Sequence, residues 1–296
     1  MLGNMQTWKS DVLYKAGFKL GEGLCWNPEE QNYLFVDIKG KLMGTVDSVT
    51  VEVKIRQLDK MIGKAVPVQN GNLLLAMEDG LEEMDPQTGS KKILVAVEPE
   101  KPDNRCNDGA CDARGRFWFG TMNKNAKAKE GALYCFDGTL RKMIEGTSVS
   151  NGICWSTDHT KMYYIDSFDR NIKGFDFDLD SGQITNEEVI VELNHPMELP
   201  DGMCIDEEGM LWVAIWGGAC VNRYNPHDGK LIGKVSVAAL NVTSCAFGGK
   251  DGRELLISTA ADGLTAEELE KFPDSGSLFI VQPGIGGFSG NTFKNL

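Results

Sequence analysis

Four stretches of this chain set a residue with a side-chain oxygen before a glycine, a small or apolar residue and a cysteine. They are Glu22-Gly23-Leu24-Cys25, Asp108-Gly109-Ala110-Cys111, Asn151-Gly152-Ile153-Cys154 and Asp201-Gly202-Met203-Cys204. Carboxylates and amides that face one another repel unless a cation sits between them, and the motif itself carries no Lys or Arg. Oxygen donors suit a hard divalent cation such as Ca²⁺, Mg²⁺ or Mn²⁺, with water completing the shell. Taken singly, each residue reads as a turn residue bonding nearby backbone N–H groups. As a set at one recurring position, they favour the cation.

Other chemistry in the sequence is sparse. Arg105 and Asn107 stand just before Asp108 and offer a dense set of donors for a polyhydroxylated or anionic ligand. His159 and His227 lie in turn sequences and are expected in solvent, whereas His195, a loop before Asp201, could reach the same place as the motif residues. No G-x-S-x-G elbow, H-E-x-x-H pair, P-loop or G-x-G-x-x-G fingerprint occurs, so nucleophilic catalysis has no evident base. A divalent cation polarising a carbonyl or a water needs none of these parts.

The elements that must position these residues follow from a repeat. Strands rich in aromatic and β-branched residues begin at Tyr33 (YLFVDI), Asn72 (NLLLAM), Phe117 (FWFGTM), Met162 (MYYIDS), Leu211 (LWVAIW) and Leu255 (LLISTA), each after a turn signal. They recur every ~40 to 50 residues, the period of a four-stranded propeller blade. Helical periodicity is confined to TAEELEKF, where Thr265 and Glu268 form a capping-box pattern. An α/β barrel has no room for its helices. The expectation is an all-β fold, a six-bladed β-propeller with a central channel holding a metal site, formed by residues 1–296 as one domain. The strand-like DVLYKAGFKL near the start would complete the last blade and close the ring. Each motif residue lies upstream of a strong strand across one turn, on the innermost strand of its blade, so Glu22, Asp108, Asn151 and Asp201 converge on the channel.

Composition bounds the remaining possibilities. With 42% hydrophobic and 25% charged residues the chain is globular, and a net charge of −13 argues against nucleic acid or an anionic membrane as partner. The N-terminal MLGNMQTWKSDVLYKAG shows no apolar run, and cytoplasm is the expected location. The eight cysteines read as buried small hydrophobes, not as a disulfide framework.

The stretches GEGLCWNPEEQNYLFVDI, NRCNDGACDARGRFWFGTM, SNGICWSTDHTKMYYIDS, PDGMCIDEEGMLWVA and TSCAFGGKDGRELLISTA resemble, in order and over nearly the whole chain, the regucalcin (senescence marker protein) and gluconolactonase group. That group also includes luciferin-regenerating proteins. The resemblance implies a six-bladed propeller that hydrolyses a sugar lactone with one divalent cation (Ca²⁺, Zn²⁺, Mg²⁺ or Mn²⁺). It implies that Glu22, Asn151 and Asp201 are the metal ligands and that Asp201 is also the catalytic general base. Arg105 and Asn107 would hold the substrate, and Asp108 would stay near the site, in a second shell or at a weaker cation site. The loop NKNAKAKEG is shorter than in animal regucalcins, and Glu130 is the approximate replacement for a substrate-contacting glutamate there. The expected ligand is a small sugar lactone such as gluconolactone, and the protein a monomer or weak homodimer. The alternatives are a calcium-binding regulatory protein without turnover and a phosphotriester hydrolase using the same cation.

Overall fold

The computed structural model describes residues 5–288 and 290–294. Six antiparallel sheets follow one another along the chain, spanning residues 21–57, 62–96, 104–147, 150–192, 199–236 and 241–281, here blades 1 to 6. The first strand of each is its innermost: Gly21–Asn27, Ile62–Pro67, Asn104–Cys111, Ser150–Trp155, Leu199–Ile205 and Asn241–Gly248. Each inner strand packs against the inner strands of both neighbouring blades, including the sixth against the first, which closes a six-bladed β-propeller around an axial channel.

The aromatic and β-branched runs form the second strands. Tyr33, Phe35, Phe117, Trp118, Trp212 and Ile257 are fully buried between blades. Two of these strands end in an Asp with a positional purpose. Asp37 accepts from the backbone N–H of Lys19, Leu20 and Gly40, and Asp166 from Ser148 and Val149. Each carboxylate thereby anchors the segment entering its own blade.

The ring closes as the sequence suggests, with one addition. Asp11–Tyr14 pairs antiparallel with Leu278–Val281 as the outermost strand of blade 6, so the last blade joins both ends of the chain. Gln6–Lys9 lies parallel to Leu231–Ser236 as a fifth strand of blade 5, which the sequence pattern did not suggest. The helix is Ala266–Lys271, with the Thr265–Glu268 capping box formed in both directions. No helix of the described residues is long and apolar enough to cross a membrane.

Candidate active site in the channel

The inner strands deliver the motif residues through a repeated irregularity. Pairing with the second strand shifts register between Glu22 and Cys25, Cys106 and Gly109, Ser150 and Ile153, and Pro200 and Met203. An extra residue in a ladder re-aims the side chains beside it. In each case the shift falls on or next to the motif residue. The glycines permit close approach at this level: a Cβ on Gly152 would lie 2.7 Å from the Asp201 carbonyl oxygen, and one on Gly63 would lie 2.3 Å from that of Asn107.

A hydrogen-bonded chain then runs across three blades. Arg105 Nη1 donates to Asn107 Oδ1 at 2.6 Å and to the Cys106 carbonyl at 3.0 Å. Asn107 Nδ2 donates to the Ser150 carbonyl at 2.8 Å and to Asn151 Oδ1 at 3.0 Å. Asn151 Nδ2 donates to Ser167 Oγ at 2.8 Å, and that hydroxyl donates to the Pro200 carbonyl at 2.7 Å, one residue before Asp201. Ser167 is thus part of the site and is missed by the sequence motif. It is the last residue of MYYIDS, just after Asp166, where only its pairing with Asn151 gives it a role.

Glu22 and Asp201 complete the cluster, each buried with 5% of its surface exposed. Burial, then the charge of Asp108, pushes the Glu22 carboxyl up to about 8. Burial, then the charges of Glu22 and Asp108, raises Asp201 well above the usual carboxylate range. Asp201 Oδ1 has no donor among the described residues. Burial also lowers the Arg105 guanidinium to about 10, against the opposing pull of Glu22, Cys106 and Asp201. The arrangement is a buried, anion-rich pair short of positive charge.

Two expectations need correction here. The motif carboxylates are not all uncompensated: Lys64, on the inner strand of blade 2, donates to Asp108 Oδ1 at 3.0 Å and to the Leu24 carbonyl at 3.0 Å. Blade 2 lacks the oxygen-glycine-cysteine pattern and reads Gly63-Lys64 instead, so a search for the motif passes over it. His159 is not simply solvated, because it is half-buried and its Nδ1 is without a partner among the described residues. His195 is exposed and stands 3.7 Å from the carboxylate of Glu198. Glu130 lies outside the cluster: its carboxylate pairs with Lys127 at 2.9 Å, while its backbone carbonyl accepts from Lys101 and Asn104.

The residues at hand fit a hard cation. Glu22 and Asp201 supply carboxylate oxygens, one of them unpartnered, and Asn151 Oδ1 retains a lone pair beside its bond from Asn107. The set is two acids and an amide; no three His, Cys, Asp or Glu side chains of the described residues group together.

Fold and site define a class, the six-bladed propellers with an oxygen-rich cluster on their inner strands. Within it, residues 20–261 match the family model described as the SMP-30/gluconolactonase/LRE-like region, and the chain belongs to that family. It is 36% identical over 288 residues to regucalcin of Danio rerio, covering 95% of this chain and 96% of that protein. Among solved structures it is similar to a calcium-binding protein, regucalcin, from Agrobacterium tumefaciens, with a TM-score of 0.91, 27% identity and 99% of each chain covered. It is also similar to a luciferin-regenerating enzyme, with a TM-score of 0.89, 29% identity, and 96% and 99% of the two chains covered.

Proposed function

We propose that the chain is a metal-dependent hydrolase that opens a small sugar lactone such as gluconolactone. One observation carries the reading. The buried Glu22–Asp201 pair leaves Asp201 Oδ1 without a partner among the described residues, on the inner strands of a fold whose family model names gluconolactonase.

Glu22, Asn151 and Asp201 would hold one divalent cation, Ca²⁺, Zn²⁺, Mg²⁺ or Mn²⁺, which when bound supplies Lewis-acid polarisation of the lactone carbonyl. Asp201 is the general base, accepting the proton of the attacking water through a carboxylate oxygen without a donor among the described residues. Asp201 must be ionised to do this, and beside Glu22 in a buried site it is ionised only when positive charge compensates both. Arg105 and Asn107 bind and orient the sugar hydroxyls, and the Asn107–Asn151–Ser167 chain fixes the amide that faces the cation. Glu130 contacts substrate from the loop above, on leaving its pairing with Lys127.

The test is a lactone panel. The purified protein is stripped with chelator, refilled separately with each of the four cations, and assayed on aldonolactones and one phosphotriester. Turnover of an aldonolactone, lost on chelation and restored by at least one cation, is expected. Cation binding without opening of any lactone would replace the hydrolase with a calcium-binding protein, and preference for the phosphotriester would replace the substrate.

A further inference from the structure

A cavity of about 380 Å³ occupies the other end of the channel. Its wall begins where the candidate active site ends: it takes Leu24 but not Glu22, Ile153 but not Asn151, and Met203 but not Asp201. The Lys64–Asp108 ion pair lines it on the side toward the carboxylate pair. Its exposed lining residues, Thr157, Phe288, Gly290 and Asn291, mark the mouth. Five of the eight cysteines, Cys25, Cys111, Cys154, Cys204 and Cys245, face it, so the motif cysteines line a second space behind the polar residues.

We propose that this cavity is a second binding site, for a small uncharged organic molecule with an aromatic or branched aliphatic body. The volume falls within the range of small-molecule sites, roughly 300 to 1,000 Å³. Protein interiors are otherwise close-packed, and a space this large among Leu24, Trp26, Ile153, Trp155 and Met203 is not a packing residue. The charge of the ligand follows from the wall. Among the described residues Lys64 and Asp108 are its only fixed charges, 3.0 Å apart, and Lys64 also holds the Leu24 carbonyl, so neither is free to pair with an ion. The wall residues Trp155 and His159 carry an indole N–H and an Nδ1 without partners among the described residues.

Two other occupants fit less well. A soft metal needs converging thiolates, but no three Cys, His, Asp or Glu side chains of the described residues are grouped so as to hold a metal ion. Burial also raises the thiols of Cys25, Cys111, Cys154 and Cys204, which keeps them protonated and poor as nucleophiles. The cysteines therefore act as apolar wall.

The test compares two fluorophores that share one aromatic body. N-phenyl-1-naphthylamine is neutral, and 1-anilinonaphthalene-8-sulfonate adds a negative charge. Each is titrated into the full chain loaded with its preferred cation. Saturable binding of the neutral probe, one per chain, is expected, with the sulfonate at least about tenfold weaker. Ala110→Leu and Ala246→Leu fill the cavity from blades 3 and 6 and should each weaken the neutral probe by about tenfold or more. Thermal unfolding identifies a variant that fails to fold, and lactone turnover should stay at the wild-type level in either folded variant. The proposal is overturned if the neutral probe does not saturate, if the sulfonate binds as tightly, or if a folded variant binds like wild type. The probe ratio needs no variant, so it decides the matter even if both variants unfold.

Discussion

Asp108 and Asp201 occupy the same place in the same motif, on inner strands two blades apart, and both are buried. Their neighbours make them different groups. Asp108 faces the Lys64 ammonium at 3.0 Å and accepts the Gly109 N–H at 2.8 Å, so its charge is matched within the protein. Burial works against the Lys64 ammonium, but Asp108, Cys25 and Glu22 together hold it above its ordinary range. Asp201 faces the Glu22 carboxyl and has an oxygen with no donor among the described residues. A buried charge matched by its own chain is structural, whereas one left unmatched is available to a ligand. One lysine on blade 2 separates the two roles.

The sharpest way to break this comparison is to neutralise each acid in turn. Asp201→Asn should lower lactone turnover by about 10²- to 10⁴-fold, the usual worth of a general base. In chelator-treated protein it should leave thermal stability unchanged or higher, because it removes one member of a like-charge pair. Asp108→Ala should do the reverse. Removing the partner of a buried ammonium costs on the order of 3–5 kcal/mol of stability in urea unfolding. Turnover per folded molecule should fall far less than in Asp201→Asn. The double variant Lys64→Met/Asp108→Leu should recover most of the lost stability, since apolar side chains can replace a buried pair. Equal stability loss in both single variants would end the distinction drawn here.

A smaller effect is expected from pH, and only without metal. The Glu22 carboxyl sits near 8 in the folded protein against 4.5 in the unfolded chain, so the folded state binds the extra proton between these values. A raised carboxylate pKa makes stability highest below the unfolded value and lowers it as pH rises through the window from about 4.5 to 8. Chelator-treated protein should therefore lose a few kcal/mol from pH 5 to pH 8 in calorimetry. Saturating cation should flatten the profile and stabilise the protein most at the alkaline end, by about 2.7 kcal/mol at a hundredfold excess over Kd. A metal-free profile that rises over this range would remove Glu22 and Asp201 from the role of an uncompensated pair.

Much of this was legible in the sequence, for a physical reason. The buried second strands are continuous apolar runs, and their recurrence gave the blade count, the ring and the level of Glu22, Asp108, Asn151 and Asp201. The capping box at Thr265 was legible because it is local. What lay beyond reach was pairwise and non-local. Lys64 matters only because it meets Asp108, 44 positions away and in the next blade. Ser167 matters only because it bridges Asn151 and the Pro200 carbonyl. The cysteines were readable as buried, but the cavity they line arises from inner strands contributed by separate blades. Likewise, Gln6–Lys9 has no pattern that reveals its addition to blade 5, where it pairs with a strand more than two hundred residues later.

Glu130 extends the comparison to a third carboxylate, one that is half-buried at the surface. Its pairing with Lys127 at 2.9 Å holds its carboxyl below the usual range, with the Lys127 hydrogen bond as the leading cause. A carboxylate already paired with a lysine and held below the usual range is a weak base. If Glu130 contacts the sugar, it does so as a hydrogen-bond acceptor with equal effect on ground state and transition state. Glu130→Ala should then raise KM by about threefold and leave kcat unchanged, the signature of uniform binding. Lys127→Ala releases the same carboxylate and should lower KM or leave it unmoved. A tenfold loss in kcat for Glu130→Ala would instead place this loop acid beside Asp201 in the chemistry, and burial would no longer sort the three carboxylates.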